Sequence, residues 1–303
     1  MSNLVAQVFH IAIYIQPIHF VLAIITNVLN ISVLYSHTLR KSPCTYYFLA
    51  YAVFSIIYSC LLCPTQILRS FSINWITGVF NCKISTYLLY LIPFQANFML
   101  NLASFDRYCS SSQSYARRSL SARRKVNIII IISTILLSLY MLPMIFIYNW
   151  DVTNSICVVK SNILISIYLF SQISLYYILS PLLLIVFGFL TISNIRQQTA
   201  RIAPSRTVRH GRRTEKQLAR MLLLQVSVHL IFALPFGVTY TINSFQPSTQ
   251  TLTIIGLRLI FVMWQQCDYF VSFFLYIFSG SIYRRQSIRL LKSILCLNMF
   301  SST

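Results

Sequence analysis

The stretch NCKISTYLLYLIPFQANFMLNLASFDRYC, residues 81–109, decides the fold. Its middle, residues 84–105, contains no Asp, Glu, Lys or Arg, and about 20 largely apolar residues are enough for a helix to cross a bilayer core. Cys82 lies before this run, and the triplet Asp106-Arg107-Tyr108 follows it. Cys82 and Arg107 are 25 residues apart, which corresponds to about 37 Å of helix. The stretch therefore predicts a membrane-spanning helix with the cysteine at one membrane face and the arginine at the other.

The rest of the chain repeats this pattern. Of its 303 residues, 57% are apolar and 9% are charged, whereas about 25% are charged in a typical soluble domain. Uncharged runs on both sides of the quoted stretch predict a single all-α domain, residues 1–303. We expect a membrane-spanning seven-helix bundle with a short amphipathic eighth helix. The predicted spans are about 9–35, 44–68, 80–108, 126–148, 162–195, 216–243 and 253–278, and the eighth helix is about 280–292.

Positive charge is concentrated between the predicted spans. Twenty of the 24 Lys and Arg residues lie in four segments, 40–41, 107–125, 196–220 and 284–292. Basic loops stay on the cytosolic side of a membrane. The pattern therefore predicts a multi-pass plasma-membrane protein with its N-terminus outside and its C-terminus in the cytosol. Membrane topology accounts for the net charge of +20, and nucleic acid is not an expected partner.

Candidate functional residues lie at the two ends of the third span. Cys157 falls in the next loop predicted to be outside, where an oxidising environment permits a Cys82–Cys157 disulfide. At the other end, Arg107 has Asp106 beside it, and Glu215 reaches the same level when the sixth span is drawn as a helix. The chain has only four acidic residues. Two of them near one arginine indicate an ion-pair cluster rather than solvated charges.

The sequence resembles the rhodopsin-like (class A) G-protein-coupled receptors over about residues 20–296. The arginine of the DRY motif follows the cysteine of a W-x-x-G-x-x-x-C motif at the family's spacing. The other matching positions are Asn27, Leu49 to Ala52, Trp75, Gly78, Pro181, Glu215, Pro235, Tyr276, Tyr283 and Arg284–Arg285. The stretches LASFDRYCSSS and TEKQLARMLLLQVSVHLIFALPFG further resemble invertebrate orphan receptors grouped with FMRFamide-type neuropeptide receptors.

This resemblance implies a receptor that binds an extracellular ligand and activates a heterotrimeric G-protein. It also implies a mechanism in which the sixth span moves outward about Pro235 while Arg107 leaves Glu215. The remaining switch residues that it implies are Asp106, Tyr108 and Tyr276. A ligand can shift such an equilibrium only by its difference in affinity for the two states.

Several motifs of that family are altered in this chain. Val53 replaces the sodium-binding aspartate after LAxA, the CWxP motif is Phe232-Ala233-Leu234-Pro235, and NPxxY keeps only its tyrosine. Asp268 is the acid inside a predicted span, where an ionisable residue costs about 2.5–3.5 kcal/mol. We therefore expect a buried polar pocket of Asp268, Asn27 and Asn97. It holds either a sodium ion beside the ionised acid or a protonated acid without an ion.

Two positions restrict the class of ligand that we expect. Amine receptors have an aspartate where this chain has Leu89, and opsins have the retinal lysine where it has Gln266. We therefore expect neither an amine ligand nor retinal, and no cofactor apart from the ion. The polar residues expected at the outer mouth are Arg69, Arg258, Gln265 and Gln266. Together with Tyr and Phe, they favour a peptide that carries acidic or aromatic residues, with a small non-amine ligand as the alternative.

Other classes of protein have less support. A transporter or channel needs several polar residues at mid-membrane depth, and this chain offers Asp268, Gln95 and Asn97 without internal repeats. No enzyme is expected, because no Ser–His–Asp, HExxH or paired-carboxylate arrangement occurs.

The eighth helix suggests a further membrane anchor. Cys296 follows its basic residues by a few positions. An acyl chain beside a polybasic face is a stable anchor in membrane lipid, so we expect Cys296 to be palmitoylated.

Overall fold

The computed structural model describes residues 3–71, 73, 77–112, 114–152, 156–159, 163–201, 209–245 and 251–300. A π-helix, Ser174–Leu179, connects the helix Ile163–Ile173 with the helix Ser180–Arg201. The other helices and strands are α1 (Asn3–Leu34), α2 (Cys44–Ser70), α3 (Gly78–Ser110), α4 (Tyr115–Leu120), α5 (Arg123–Met141), α6 (Met144–Ile147), β1 (Tyr148–Asp151), β2 (Ile156–Val159), α7 (Ile163–Ile173), α8 (Ser180–Arg201), α9 (Arg209–Phe245), α10 (Leu252–Gln266), α11 (Asp268–Ser279) and α12 (Ser281–Phe300).

Seven helical segments among the described residues are long and apolar enough to cross a membrane. The predicted seven-helix bundle and its eighth helix are therefore confirmed. We number the spans in chain order. Spans 1, 2 and 3 are α1, α2 and α3, span 4 is α5 with α6, span 5 runs from α7 to α8, span 6 is α9, and span 7 is α10 with α11.

The outer surface of the bundle requires an apolar solvent. On span 4, the side chains of Ile128, Ile131, Ile135 and Leu139 are each more than half exposed. They recur every three or four residues, so they form a stripe along one side of the helix. Exposed apolar stripes of this kind are the expected lipid-facing surface of a membrane-spanning helix.

One buried cluster joins several spans of the bundle. Phe48, Met99 and Leu100 are almost completely buried, and they pack in one cluster with Tyr276 and Tyr283. Spans 2, 3 and 7 and the eighth helix therefore share one hydrophobic core. Span 3 is the most buried of the seven spans.

Span 4 agrees closely with its predicted range, 126–148, because it runs from Lys125 to Ile147. It consists of two helices, since α5 ends at Met141 and α6 follows Pro143. Pro143 has no backbone N–H to continue the helical hydrogen bonds. It instead begins the short helix α6, where its carbonyl accepts from the N–H groups of Phe146 and Ile147.

Spans 5 and 7 are interrupted by irregular turns. The π-helix Ser174–Leu179 comes directly before Pro181. A π-helical turn is one way to accommodate a proline inside a helix. Span 7 breaks at Cys267, whose N–H donates to the carbonyl of Trp264 at 3.1 Å. This break places Asp268 in the first turn of α11.

A disulfide closes one end of the bundle. The antiparallel strands β1 and β2 pair Trp150 with Cys157, and Cys157 is bonded to Cys82 near the start of span 3. The predicted disulfide is thus confirmed. Gly78 begins span 3 with a φ of +83°, which L side chains rarely adopt. We call this end of the bundle the disulfide end and the opposite end, which contains Arg107, the arginine end.

Candidate functional site: a cavity, a polar seam and a buried arginine

A cavity of about 210 Å³ lies among the spans in the half of the bundle near the disulfide. Its walls come from spans 2, 3, 5, 6 and 7 and from the end of span 4. The aromatic residues that line it are Tyr58, Tyr90, Phe94, Tyr176, Tyr177, Phe236 and Tyr240. Leu89, the position of the amine-binding aspartate in related receptors, also lines this cavity.

Tyrosine hydroxyl groups form a cluster at one side of the cavity. The hydroxyl of Tyr90 lies 3.2 Å from that of Tyr148 and 3.3 Å from that of Tyr240. Burial raises the pKa of Tyr148 well above its usual value, and the neighbouring Tyr90 raises it further. The Tyr148 phenol therefore stays neutral and able to donate a hydrogen bond.

Close approach of spans 5 and 6 shapes the wall. A Cβ atom on Gly237 would collide with the ring of Tyr177, so the glycine lets this ring lie directly on span 6. The Tyr177 ring also contacts Phe236 at a centroid distance of 6.2 Å.

The predicted mouth residues divide between the cavity and its surroundings. Arg258 and Gln265 line the cavity, whereas Oε1 of Gln266 accepts a hydrogen bond from Nδ1 of His19 at 3.2 Å. Arg69 is exposed at the end of span 2. The guanidinium of Arg258 lies 5.3 Å from the ring centroid of Tyr240, a cation–π distance.

Span 7 supplies the hydrogen bond that a proline removes from span 6. Pro235 has no N–H, so the carbonyl of Ile231, four residues earlier, has no helical donor. The indole Nε1–H of Trp264 donates to this carbonyl at 3.2 Å. The indole also packs against Phe232 at a centroid distance of 4.9 Å. Trp264 thus contacts span 6 within one turn of the position where related receptors have their own tryptophan.

Asp268 pairs with a histidine that was not predicted as its partner. Its carboxylate lies 2.6 Å from Nδ1 of His229 on span 6, and both side chains are about 95% buried. The expectation that Asp268 faces Asn27 and Asn97 is corrected by this contact. Asn27 donates instead to the backbone carbonyls of Ala23 and Tyr269.

The predicted ion at Asp268 is not favoured by the donor set. Hard cations prefer several oxygen ligands, but one Asp268 oxygen is already engaged by the His229 nitrogen. Among the described residues, no group of three or more His, Cys, Asp and Glu lies together. A sodium ion at Asp268 stays a prediction. Asn97 is also buried, and its side-chain amide has no hydrogen-bond partner among the described residues.

Further polar contacts join spans 6 and 7 toward the arginine end. The Tyr276 hydroxyl donates to Oε1 of Gln225, and Nε2 of Gln225 donates to the Ser272 hydroxyl at 3.2 Å. Oε1 of Gln217 accepts from the backbone N–H of Ile282 at 3.1 Å. We call this series the span 6–span 7 seam; it contains Ile231, His229, Gln225 and Gln217 on span 6, and Trp264, Asp268, Ser272, Tyr276 and Ile282 opposite them.

Arg107 is buried at the arginine end with a carboxylate and a hydroxyl. Its Nη2 donates to Asp106 at 2.8 Å and to the Ser42 hydroxyl at 3.1 Å. Ser121 donates to the other Asp106 oxygen at 2.5 Å. This arrangement joins span 3 to the segments before span 2 and before span 4. The side chain of Glu215, the second predicted partner, lies outside the described residues.

The remaining predicted site residues lie as follows. Tyr108 accepts a hydrogen bond from Arg117 at 2.8 Å and stacks on Phe187 of span 5 at a centroid distance of 5.9 Å. Cys296 belongs to α12, but its side chain lies outside the described residues.

Sequence reasoning missed most of the seam. It treated His229 as one of five scattered histidines, and it did not single out Gln225 or Trp264. A signal was present, because Asp268, Ser272 and Tyr276 recur every four residues and so share one helix face. Gln225 and His229 have the same spacing on span 6.

Comparison of the sequence with known protein families agrees with the seven-helix architecture. The sequence model of a family described as 7 transmembrane receptor (rhodopsin family) matches residues 26–283, well over half of the chain. No curated protein matches the chain.

Proposed function

Because the chain belongs to the rhodopsin family of seven-transmembrane receptors, we propose that it binds a peptide outside the cell and activates a heterotrimeric G-protein inside it. Membership of this family makes the chain a signalling receptor rather than an enzyme. The observation that carries the proposal is the span 6–span 7 seam. It runs along spans 6 and 7 between the half of the bundle that holds the aromatic cavity and the end that holds the buried arginine.

We place the disulfide end outside the plasma membrane and the arginine end in the cytosol. Disulfides persist in oxidising compartments, and basic segments stay on the cytosolic side. The segments 107–125 and 196–220 hold most of the basic residues, and the parts of them that the structure describes are at the arginine end. A ligand from outside would then enter the cavity, and a G-protein would bind near Arg107.

A peptide is the favoured ligand because the cavity combines aromatic rings with one cation, Arg258. The finer resemblance to FMRFamide-type receptors stays a prediction, since no curated protein matches. A small non-amine ligand is the second candidate. It is favoured by the cavity volume of about 210 Å³, below the roughly 300–1,000 Å³ of sites for drug-sized ligands.

The proposed mechanism is a two-state bundle. Ligand in the cavity favours a state in which span 6 moves outward about Pro235, and Arg107 leaves Glu215. A Glu215→Ala substitution should then raise basal signalling, because the resting state would lose one partner of Arg107. Unchanged basal signalling at equal surface expression would contradict the role of Glu215.

The function is tested by a peptide-library screen in a heterologous cell with a second-messenger readout. The matched control is Arg107→Ala, expressed at the same surface level. We expect some peptides to raise the second messenger in cells with the native chain and not in cells with the variant. A response that persists in Arg107→Ala cells would show that it does not pass through this receptor's G-protein site.

A further inference from the structure

Among the described residues, Arg258 is the only charged one that lines the cavity, and no carboxylate lines it. In that part of the chain Arg258 makes neither an ion pair nor a hydrogen bond, and its guanidinium lies 5.3 Å from the Tyr240 ring centroid. The other walls are aromatic and aliphatic apart from a few amides. The Arg258 side chain is partly buried, and none of these wall residues neutralises its charge. The cavity therefore favours an occupant that carries negative charge.

A second arginine strengthens this argument. Arg69 lies near enough to Arg258 for the two positive charges to repel each other. The acids of this chain lie elsewhere: Asp106 is paired with Arg107, Asp268 with His229, and Glu215 belongs to the far end of span 6. Asp151 lies in strand β1 and is not among the cavity residues. An anion from outside is thus the natural counter-charge for this arginine pair.

A buried amide adds a second requirement on the ligand. Gln172 lines the cavity, is 6% exposed, and donates from Nε2 to the weak acceptor Sδ of Met141 at 3.2 Å. Its Oε1 is buried and has no hydrogen-bond partner among the described residues. Buried carbonyl oxygens without a donor are costly, so an N–H group on the ligand would stabilise the complex.

We propose that the ligand is an acylated aromatic amino acid with a free carboxylate, either alone or as the C-terminus of a peptide. The carboxylate binds Arg258, the N–H donates to Gln172, and the ring packs among the cavity's aromatic residues. This deepens the proposed function and rests on it. An amidated C-terminus would lack the negative charge that Arg258 requires, because guanidinium has five donors and no acceptor.

The test uses the purified full chain in lipid nanodiscs and two matched pairs of probes. One pair is N-acetyl-phenylalanine and its amide, and the other is Gly-Gly-Gly-Phe and its amide. Binding is followed by the rise in melting temperature, since a ligand that binds the folded state stabilises it. The thiols of Cys63 and Cys109 are buried, so a thiol-reactive dye that gains access to them reports unfolding.

We expect the free acids to stabilise the native chain at millimolar concentration and the amides to bind about tenfold or more weakly. Arg258→Gln should abolish this preference, and Arg258→Lys should keep part of it. Lys83→Gln removes a positive charge at the same end but outside the cavity, so it should change nothing. A stronger effect of the tetrapeptide acid supports a peptide source, and an equal or weaker one supports a small acid.

Three results would overturn the inference. These are equal binding of acid and amide, an acid preference that survives Arg258→Gln, or no stabilisation by any of the four probes. None of them bears on G-protein coupling, which the Arg107→Ala comparison tests separately. A preference for the amides over the acids would also contradict the inference, and the receptor would then have a different class of ligand.

Discussion

Replacing Trp264 with phenylalanine removes one hydrogen bond from the span 6–span 7 seam. The ring of phenylalanine can still pack against Phe232, which lies 4.9 Å from the indole, but it cannot donate to the Ile231 carbonyl. Ile231 and Trp264 are 59% and 45% exposed at the surface of the bundle, where lipid rather than water surrounds them. The carbonyl therefore finds no other donor. We expect the variant to be less stable and its hinge at Pro235 less constrained.

The magnitude follows from the surroundings of the bond. A hydrogen bond between membrane-spanning helices contributes on average about 0.6 kcal/mol and at most about 1.7 kcal/mol. The Ile231 carbonyl already lacks a helical donor because of Pro235, so the loss of the tryptophan leaves it without any donor. The bond therefore belongs in the upper part of that range, about 1–1.5 kcal/mol. If the bond is present only in the resting state, the same free energy raises basal signalling about five- to tenfold.

The assay is a double-mutant cycle with Pro235→Ala. Alanine restores the backbone N–H at position 235, which can then donate to the Ile231 carbonyl within the helix. Trp264→Phe should consequently lower the unfolding free energy in the native background and change it little in the Pro235→Ala background. Reversible unfolding in mixed detergent micelles measures both steps. Equal losses in the two backgrounds would refute the reasoning, because the tryptophan would then act through packing alone.

The remaining predictions concern the disulfide, the buried pair and the C-terminal anchor. Cys82→Ser and Cys157→Ser should each lower the melting temperature, and the double variant should be no less stable than either single one; additive losses would contradict the bond. His229→Leu or Asp268→Leu alone leaves a buried ionisable group unpaired and should cost about 3–5 kcal/mol of unfolding free energy, whereas the double variant should recover much of it. Replacement of KCl by NaCl should not raise the melting temperature if His229 occupies the Asp268 carboxylate. A rise that is specific to sodium and absent from the Asp268→Asn variant would instead support a sodium site at Asp268. Cys296→Ser should abolish metabolic labelling with palmitate, and undiminished labelling would remove this anchor.

Composition and spacing alone determined the seven-helix architecture. Uncharged runs such as 84–105 are long enough to cross a bilayer core. No water pairs with the backbone there, and a helix satisfies its backbone hydrogen bonds internally. The spacing of Cys82 and Arg107 placed them at opposite ends of span 3, and the uninterrupted helix Gly78–Ser110 confirms this length argument.

Only the tertiary structure decided which polar groups meet. Asp268 was recognised as needing a partner, but His229 is 39 residues away along the chain, and helix periodicity does not give the rotation of one helix against another. The same limit hid the contact of Trp264 with the carbonyl freed by Pro235, because one of its two partners is a backbone atom with no mark in the sequence. A buried polar residue in a span indicates the need for a partner, because an unpaired one is costly in a membrane. Its identity depends on the packing of whole helices.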